Sequence, residues 1–200
     1  MMTIMKQLNT KQSTTNRKEV SHARIVETAS RAIRRSGYDG TGVADIMKEA
    51  GLTHGGFYAH FSSRDAMLAE AAGQAGEDTI KMIKQILAAV PGQQALKTLM
   101  QGYLSNEHMA NFESGCSITA LGSEMPRQAP EVRNASTSRI KEILRLIEER
   151  LSVDHSDAYD KALVMTATMI GTLLLARAVD DPELSEAFRH AALKQYDAKE

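Results

Sequence analysis

Hydrophobic residues recur at intervals of three and four along nearly the whole chain, and no sustained alternation of polar and apolar positions interrupts them. This spacing predicts amphipathic α-helices rather than strands. In the first long segment the apolar face consists of Ile25, Val26, Ala29, Ala32 and Ile33. Asn16 and Glu19 could form a capping box at the start of this helix, and Gly37 fits its C-terminal end.

Short helices follow. The second has an apolar face made of Val43, Ile46, Met47 and Ala50. It is expected to end at Gly51. Thr53 is a candidate N-cap for a third helix, and Ser62 or Ser63 for a fourth that continues to Pro91.

Longer helices are expected beyond Pro91. The first carries a stripe of Leu96, Leu99, Met100, Tyr103 and Leu104, and another, from Pro130, carries Val132, Ile140, Ile143, Leu144, Ile147 and Leu151. Asp154 or Ser156 could cap the next helix, whose segment 162–176 has no charge. A helix that is apolar nearly all round is expected to be buried on all sides. A last helix opens at Asp181-Pro182, so the pattern predicts an all-α chain.

Composition adds limits to this picture. The chain is 42% hydrophobic and has one cysteine, so it can form a core but no intramolecular disulfide, which suits a reducing cytosol. No apolar run is long enough to span a bilayer, and MMTIMKQLNTKQSTTN lacks the apolar centre of a signal peptide. We therefore expect a cytoplasmic protein with no membrane partner and a disordered polar tail over residues 1–16.

Charge is unevenly distributed. Residues 1–70 hold ten Lys/Arg against seven Asp/Glu, whereas residues 71–200 hold fourteen against eighteen. A basic front end on an acidic body suggests a polyanionic partner for the front end alone. The same charges could equally serve only the solubility of a flexible tail.

The stretch GLTHGGFYAHF places three of the chain's nine aromatic residues beside two adjacent glycines. A helix, a tight turn containing glycine and a second short helix are typical of a helix-turn-helix. Phe57 and Phe61 are four residues apart and can pack together on the core, while Thr53, His54 and Tyr58 project from another face. The two glycines remove bulk from the first turn, where backbone N–H groups can approach an anion.

The longer stretch GLTHGGFYAHFSSRDAMLAEA resembles the signature of the TetR/AcrR family of bacterial transcriptional regulators. The upstream piece ARIVETASRAIRRSGYDGTGVADIMKEAG is similar to the first two helices of that family. The resemblance covers about residues 20–72. It implies a three-helix helix-turn-helix DNA-binding domain over 17–65 and a larger helical effector-binding and dimerisation domain over 66–200.

The resemblance also implies which residues contact double-stranded DNA. The assigned positions are Thr41, Thr53, His54, Gly55, Tyr58, His60 and Arg64. Of these, Thr41, Tyr58 and His60 would contact phosphates, and the residues from Thr53 to Gly55 would enter the major groove. His54 departs from the residue types more common in the family, which leaves its target base open. Arg64 keeps the positive charge that the family's motif places at the start of the fourth helix.

Alternatives exist for several of these residues. His60 could be a buried, hydrogen-bonded histidine instead of a phosphate ligand. Arg17 and Lys18 could form an arm on the DNA backbone or minor groove, or be tail charges only. His54 and His60 are six positions apart and do not share a helical face, so no metal site is expected.

In the larger domain, the two C-terminal helices are more apolar than a small bundle requires. They could form a four-helix interface in a homodimer that binds a palindromic site, or be the interior of one domain. Soft apolar residues could line a pocket for a small-molecule effector or simply pack the core. These are Met100, Tyr103, Met109, Phe112, Cys116, Met125, Met165 and Met169.

Cys116 follows Gly115 at the expected start of a helix, where the helix dipole favours the reactive thiolate. By resemblance to relatives with a Gly-Cys pair in this region, Cys116 could sense oxidants or electrophiles through sulfenic acid or adduct formation. It could also be a small buried hydrophobic residue.

No nucleophile elbow, no P-loop and no paired carboxylates in a recognisable catalytic setting occur, so the sequence supports neither an enzyme nor a cofactor. Together the observations predict a TetR-like repressor that an effector or cysteine modification releases from a palindromic operator. An activator of the same fold and a helical small-molecule-binding protein without specific DNA binding are the alternatives. Strongly salt-dependent binding to one palindrome would separate the repressor from the binding protein, and the position of the site in its promoter would separate it from the activator.

Overall fold

The computed structural model describes residues 2–92, 94–151 and 155–197, which form nine α-helices, two 3₁₀ helices and no strand. The α-helices are α1 (Met2–Ser36), α2 (Val43–Glu49), α3 (Arg64–Ala89), α4 (Gln94–Tyr103), α5 (Asn106–Ala110), α6 (Ser117–Leu121), α7 (Pro130–Glu148), α8 (His155–Ala178) and α9 (Pro182–Asp197). The 3₁₀ helices are His54–Ala59 and Met125–Arg127. The all-α class is confirmed.

Helix α1 begins earlier than the sequence pattern predicts. It starts at Met2, where a disordered tail is expected, and Asn16 lies inside it, so the capping box with Glu19 does not form its N-terminus. No glycine or proline occurs before Gly37, and the backbone therefore meets no residue that ends a helix.

Other helix ends follow the expected signals. Gly37 has a φ of +74° and ends α1. Ser63 caps α3 by accepting the Ala66 N–H at 3.0 Å. The Asp181 carboxylate accepts the N–H groups of the first turn of α9. Asp154, a candidate cap for α8, lies outside the described residues.

The first of two apolar clusters, here the N-terminal cluster, joins α1, α2 and the 3₁₀ helix His54–Ala59 to the first half of α3. The expected face of α1, from Ile25 to Ile33, is buried in it. Leu121 of α6 and Val132 of α7 belong to the same cluster. The N-terminal helices therefore share a core with helices from the second half of the chain.

The second cluster, here the C-terminal cluster, joins the rest of α3 to α4, α7, α8 and α9. The predicted stripe of α4 lies in it, and Ile143 and Ile147 of α7 face it. Helix α3 contributes to both clusters and is the longest element they share.

Helix α8 is not buried on all sides within the chain. Ala162, Met165, Met169 and Leu173 pack in the C-terminal cluster, whereas Tyr159, Leu163, Val164, Leu174 and Leu175 are exposed. By length and composition its segment Asp157–Ala178 is also apolar enough to cross a membrane, a property that core helices of soluble proteins share. Among the described residues, this face of α8 therefore remains exposed and apolar.

Candidate nucleic-acid interface

A tight turn separates α2 from the 3₁₀ helix that carries the predicted DNA-contacting residues. Gly51 adopts a φ of +69°, a left-handed conformation that favours glycine. The Leu52 N–H returns to the Met47 carbonyl at 2.8 Å and closes the turn. The segment that follows is a single 3₁₀ helix, His54–Ala59, rather than a longer α-helix. Two adjacent glycines and the low helix propensity of histidine and aromatic residues account for its shortness.

Two phenylalanines anchor this short helix to the N-terminal cluster. Phe57 and Phe61 are 2% and 4% exposed, and their rings are stacked with centroids 5.5 Å apart. Ile33 and Ile46 belong to the same cluster, as the spacing of the aromatic pair predicts. The rings hold the segment in place, so its opposite face is free for other contacts.

That opposite face presents four of the predicted DNA-contacting residues to solvent. Thr53, His54 and Gly55 are exposed, and Tyr58 is 75% exposed. Thr53 occupies the N-cap position, but its hydroxyl makes no capping hydrogen bond. The side chains of this face are therefore available to a partner that approaches the first turn.

The glycines of this face are not explained by the fold of the chain itself. In the part of the chain that the structure describes, a Cβ atom built on Gly55 meets no atom within 4 Å, and one on Gly56 makes only ordinary contacts at 3.7 Å. Neither glycine has a positive φ. Since neither packing nor backbone conformation requires glycine at position 55, the missing side chain leaves room for something outside the chain.

His60 lies at the edge of this face, within a group of polar side chains. Its ring is 5.9 Å from that of His22, whose Nε2 is 2.6 Å from a carboxylate oxygen of Glu70. Burial, with smaller contributions from His22 and Lys18, lowers the pKa of His60. Its Nδ1 is buried without a hydrogen-bond partner among the described residues. His60 is thus half-buried, as one of the two interpretations expects, but it is not hydrogen-bonded through Nδ1.

Thr41 and Arg64 make contacts within the chain. Thr41 is 4% exposed and donates its hydroxyl to the Gly37 carbonyl at 2.6 Å. The Arg64 guanidinium donates to the carbonyl oxygens of Tyr38 and Thr41. Both residues hold the turn between α1 and α2, and any contact they make with phosphate stays a prediction. Arg17 and Lys18 are exposed on α1.

The predicted effector residues fall into three places. Met100, Tyr103, Cys116, Met165 and Met169 lie together in the C-terminal cluster, with Met109 packed against it. Phe112 is 51% exposed, and Met125 packs against the N-terminal cluster instead. Phe112 lies between α5 and α6, and Met125 opens a three-residue 3₁₀ helix, so α-helical periodicity cannot indicate which way either side chain points.

Cys116 is 1% exposed and occupies the N-cap position of α6, as expected. Its N–H donates to His108 Nε2 at 3.1 Å, and His108 Nδ1 lies 2.7 Å from the Tyr103 carbonyl. This pair of contacts specifies a neutral ring that carries its proton on Nδ1, and burial lowers the pKa of His108. The Tyr103 hydroxyl pairs with Thr119 at 2.8 Å.

Arg177 of α8 holds the loop before Cys116. Its guanidinium donates to the carbonyl oxygens of His108, Met109 and Asn111 and stacks over the Phe112 ring at 4.7 Å. Burial lowers the pKa of Arg177, and the nearby Tyr103 and Cys116 oppose this shift. Sequence reasoning does not single out His108 or Arg177, since their partners are mainly backbone carbonyls that carry no sequence signal.

No group of His, Cys, Asp or Glu that could hold a metal ion occurs in the described part of the chain.

The turn at Gly51, the anchor formed by Phe57 and Phe61 and the exposed face of the 3₁₀ helix together define a helix-turn-helix. This is the arrangement of a DNA-binding regulator.

Comparison with known proteins gives the family. Residues 25–71 match the family described as bacterial regulatory proteins, tetR family, and residues 92–192 match the LmrA/YxaF-like transcriptional regulator C-terminal domain. An uncharacterized HTH-type transcriptional regulator of Mycobacterium tuberculosis is 30% identical over 165 residues, which cover 77% of this chain and 82% of that protein. The HTH-type transcriptional regulator LmrA of Bacillus subtilis is 29% identical, with 78% and 86% covered.

Solved structures agree on the fold. A TetR transcriptional regulator from Chloroflexus aurantiacus has a TM-score of 0.76 and 24% identity, and covers 92% of this chain and 97% of its own. The reduced form of NemR from E. coli has a TM-score of 0.75 and 18% identity, with 88% and 94% covered.

This chain belongs to the TetR family of bacterial transcriptional regulators and carries an LmrA/YxaF-like C-terminal domain. The predicted family, helix-turn-helix and DNA-binding class are confirmed, and the protein is a regulator and not an enzyme. Membership of a family of bacterial transcriptional regulators is consistent with the expected cytoplasmic location, which stays a prediction.

Proposed function

We propose that this regulator is a repressor that binds a palindromic operator as a homodimer and is released by an effector in its C-terminal domain. The observation that carries the DNA-binding part is the exposed face of the 3₁₀ helix His54–Ala59. Thr53, His54 and Tyr58 project from it, and Gly55 leaves a gap that no described residue fills. Donors on a rigid, closely approaching backbone suit recognition of bases and phosphates in a major groove.

Operator binding is tested with duplexes selected by the protein from a random pool and with fragments flanking its own gene. Tyr58→Phe removes one exposed hydroxyl from the face, and Ser138→Ala removes one from the exposed side of α7 as the control. A hydrogen bond to a charged phosphate contributes about 1.5–3 kcal/mol, so Tyr58→Phe should weaken binding about tenfold or more. Affinity should also fall steeply with salt. Equal binding to palindromic and scrambled duplexes would refute operator recognition.

The dimer is supported by the uncovered apolar face of α8. Val164 is 61% exposed and Leu175 is 44% exposed, and Leu184 of α9 is 43% exposed nearby in sequence. Two copies of this face would bury each other in a four-helix interface. Val164→Glu and Leu175→Glu should give monomers in sedimentation velocity, while Lys141→Glu on exposed α7 should not. A dimer that persists in both α8 variants contradicts this interface.

Effector release is supported by the composition of the C-terminal cluster. Met100, Met165 and Met169 belong to the same cluster as the buried Tyr103 and Cys116 and give it adaptable apolar surface. An apolar molecule could enter by repacking these side chains, and a soft electrophile could instead react with the thiol. In the second case the sulfur bonds to the electrophilic carbon of a conjugated carbonyl compound, and the thiol proton moves to the adjacent carbon.

Reaction at Cys116 would disturb the contacts that hold its loop. The thiol is 1% exposed, and the residue's N–H is bound to His108, so an adduct requires the loop to move. N-ethylmaleimide should release the repressor from its operator, and Cys116→Ser should abolish that release while preserving DNA binding. Release of Cys116→Ser by the same reagent would exclude the thiol. An operator complex that ignores maleimide but responds to apolar compounds would favour non-covalent release.

A further inference from the structure

Helix α1 ends at Gly37 in a way that leaves one backbone donor without a partner in its own helix. The Gly37 N–H still bonds to the Ile33 carbonyl at 2.8 Å, but the positive φ of Gly37 turns the chain away from the helix. The next N–H, that of Tyr38, therefore needs an acceptor from elsewhere, because a buried unpaired backbone donor is costly.

Glu124, in the segment between α6 and α7, supplies that acceptor. Its Oε2 accepts the Tyr38 N–H at 2.9 Å across 86 positions of sequence. The carboxylate also rests against Gly37, where an added Cβ would lie 2.5 Å from Oε1. The glycine thus permits both the left-handed turn and the approach of Glu124. A residue of the matched LmrA/YxaF-like domain therefore binds the backbone that follows α1 in the DNA-binding domain.

The carbonyl side of Tyr38 is held by a residue of the DNA-binding domain. The Tyr38 carbonyl accepts from the Arg64 guanidinium, which also donates to the Thr41 carbonyl at 3.3 Å. The Tyr38 side chain is 0% exposed in the N-terminal cluster, and burial with the nearby Glu124 raises its pKa to about 12. Tyr38 is therefore fixed at its N–H, its carbonyl and its ring.

We propose that Glu124 is a positioning residue for DNA recognition, which sets the orientation of α2 and the recognition segment by fixing the Tyr38 backbone from the C-terminal domain. Only Asp39 to Gly42 separate Tyr38 from the first residue of α2. A shift of the Tyr38 backbone would therefore move α2 as well. Helix α2 is in turn joined to the 3₁₀ helix by the tight turn at Gly51. Glu124 does not itself contact DNA in this proposal.

The test compares Glu124→Ala, which removes the acceptor, with Glu124→Gln, which retains an acceptor oxygen. Glu131→Ala, on the exposed first turn of α7, controls for the loss of one negative charge. Amide hydrogen exchange is measured over residues 37–50 in the full-length protein. Glu124→Ala should exchange about tenfold faster there, as expected for loss of a hydrogen bond to a charged group, and Glu124→Gln should stay within about twofold.

Binding is then measured to a palindrome selected by the unaltered protein and to a scrambled duplex. Glu124→Ala should lose about tenfold on the palindrome and less than about twofold on the scrambled duplex, because non-specific binding depends on charge and not on helix orientation. Glu124→Gln should restore the ratio of the two affinities. A purely structural role would lower the melting temperature and both affinities together.

Two results overturn the proposal. In one, Glu124→Ala matches Glu131→Ala in exchange and in the affinity ratio. In the other, Glu124→Gln behaves like Glu124→Ala, which assigns the effect to the carboxylate charge and not to the Tyr38 hydrogen bond. If the unaltered chain selects no palindrome, the proposed operator binding fails separately. Exchange over residues 37–50 then still supports the Glu124–Tyr38 link or refutes it.

Discussion

Replacing Gly55 with alanine should separate the stability of the recognition segment from its function. The added Cβ meets no atom within 4 Å, and Gly55 does not have a positive φ, so the free protein can accept the methyl group without strain. Alanine restricts the unfolded chain more than glycine does, which stabilises the fold by about 0.4–1 kcal/mol. For a chain of this size that raises the melting temperature by about 1–4 °C.

DNA binding should change in the opposite direction. If the Gly55 backbone lies against the DNA, the methyl group must push the two surfaces apart. Overpacking a fitted contact costs about 1–3 kcal/mol, which is roughly a five- to 150-fold loss of affinity at each half-site. The measurements are thermal unfolding of the free protein and fluorescence anisotropy on the selected palindrome at constant salt.

Gly73→Ala provides the matched control. Gly73 lies inside α3, and a Cβ there also meets nothing within 4 Å, so alanine should stabilise the protein without affecting DNA binding. A Gly55→Ala protein that binds as tightly as the unaltered one would refute close approach of DNA at this position. A Gly55→Ala protein that unfolds at a lower temperature would show that the segment itself requires glycine.

Three further predictions concern local contacts. Gly115→Ala should cost about 1–3 kcal/mol in urea unfolding, because its Cβ would lie 2.3 Å from the Asn111 carbonyl oxygen and the loop backbone must move. Burial lowers the pKa of His108 in the folded state. The stability that the neutral ring contributes is therefore present above its unfolded pKa of about 6.5 and is lost as the pH falls below that value. His108→Gln should flatten the change in unfolding free energy between about pH 7.5 and 5.5. Ser63→Ala should lower stability by about 1 kcal/mol at any of these pH values, through loss of the α3 cap, and an unchanged urea midpoint would contradict the cap.

Local sequence pattern is sufficient for the buried face of α1 and for the anchor of the recognition segment. The 3.6-residue period places Ile25 and Ile33 on one buried face because side chains that far apart point the same way. The four-residue spacing of Phe57 and Phe61 predicts their stacking for the same reason. These features depend on neighbours within two turns of helix, and such neighbours are visible in the sequence.

Contacts between distant segments are not visible in the amino-acid sequence. Glu124 is an ordinary surface residue by type, and nothing near it indicates a backbone donor 86 positions away. Phe112 looks like a pocket residue by composition, yet it lies on the surface against Arg177. The start of α1 is likewise not indicated by the sequence, because a polar segment without glycine or proline carries no signal that separates helix from tail.

Helix α6 connects the two apolar clusters and lies next to the Glu124 contact. It runs from Cys116 at its N-cap, which lies in the C-terminal cluster, to Leu121, which lies in the N-terminal cluster. Five helical residues span only about 7–8 Å and are rigid over that length. Leu121 is 2% exposed, so it cannot be displaced without disturbing the core that holds the recognition segment. An effector that moves Cys116 would therefore act on the DNA-binding domain through α6 and the Glu124 contact three residues beyond it, without needing to bend the longer α3.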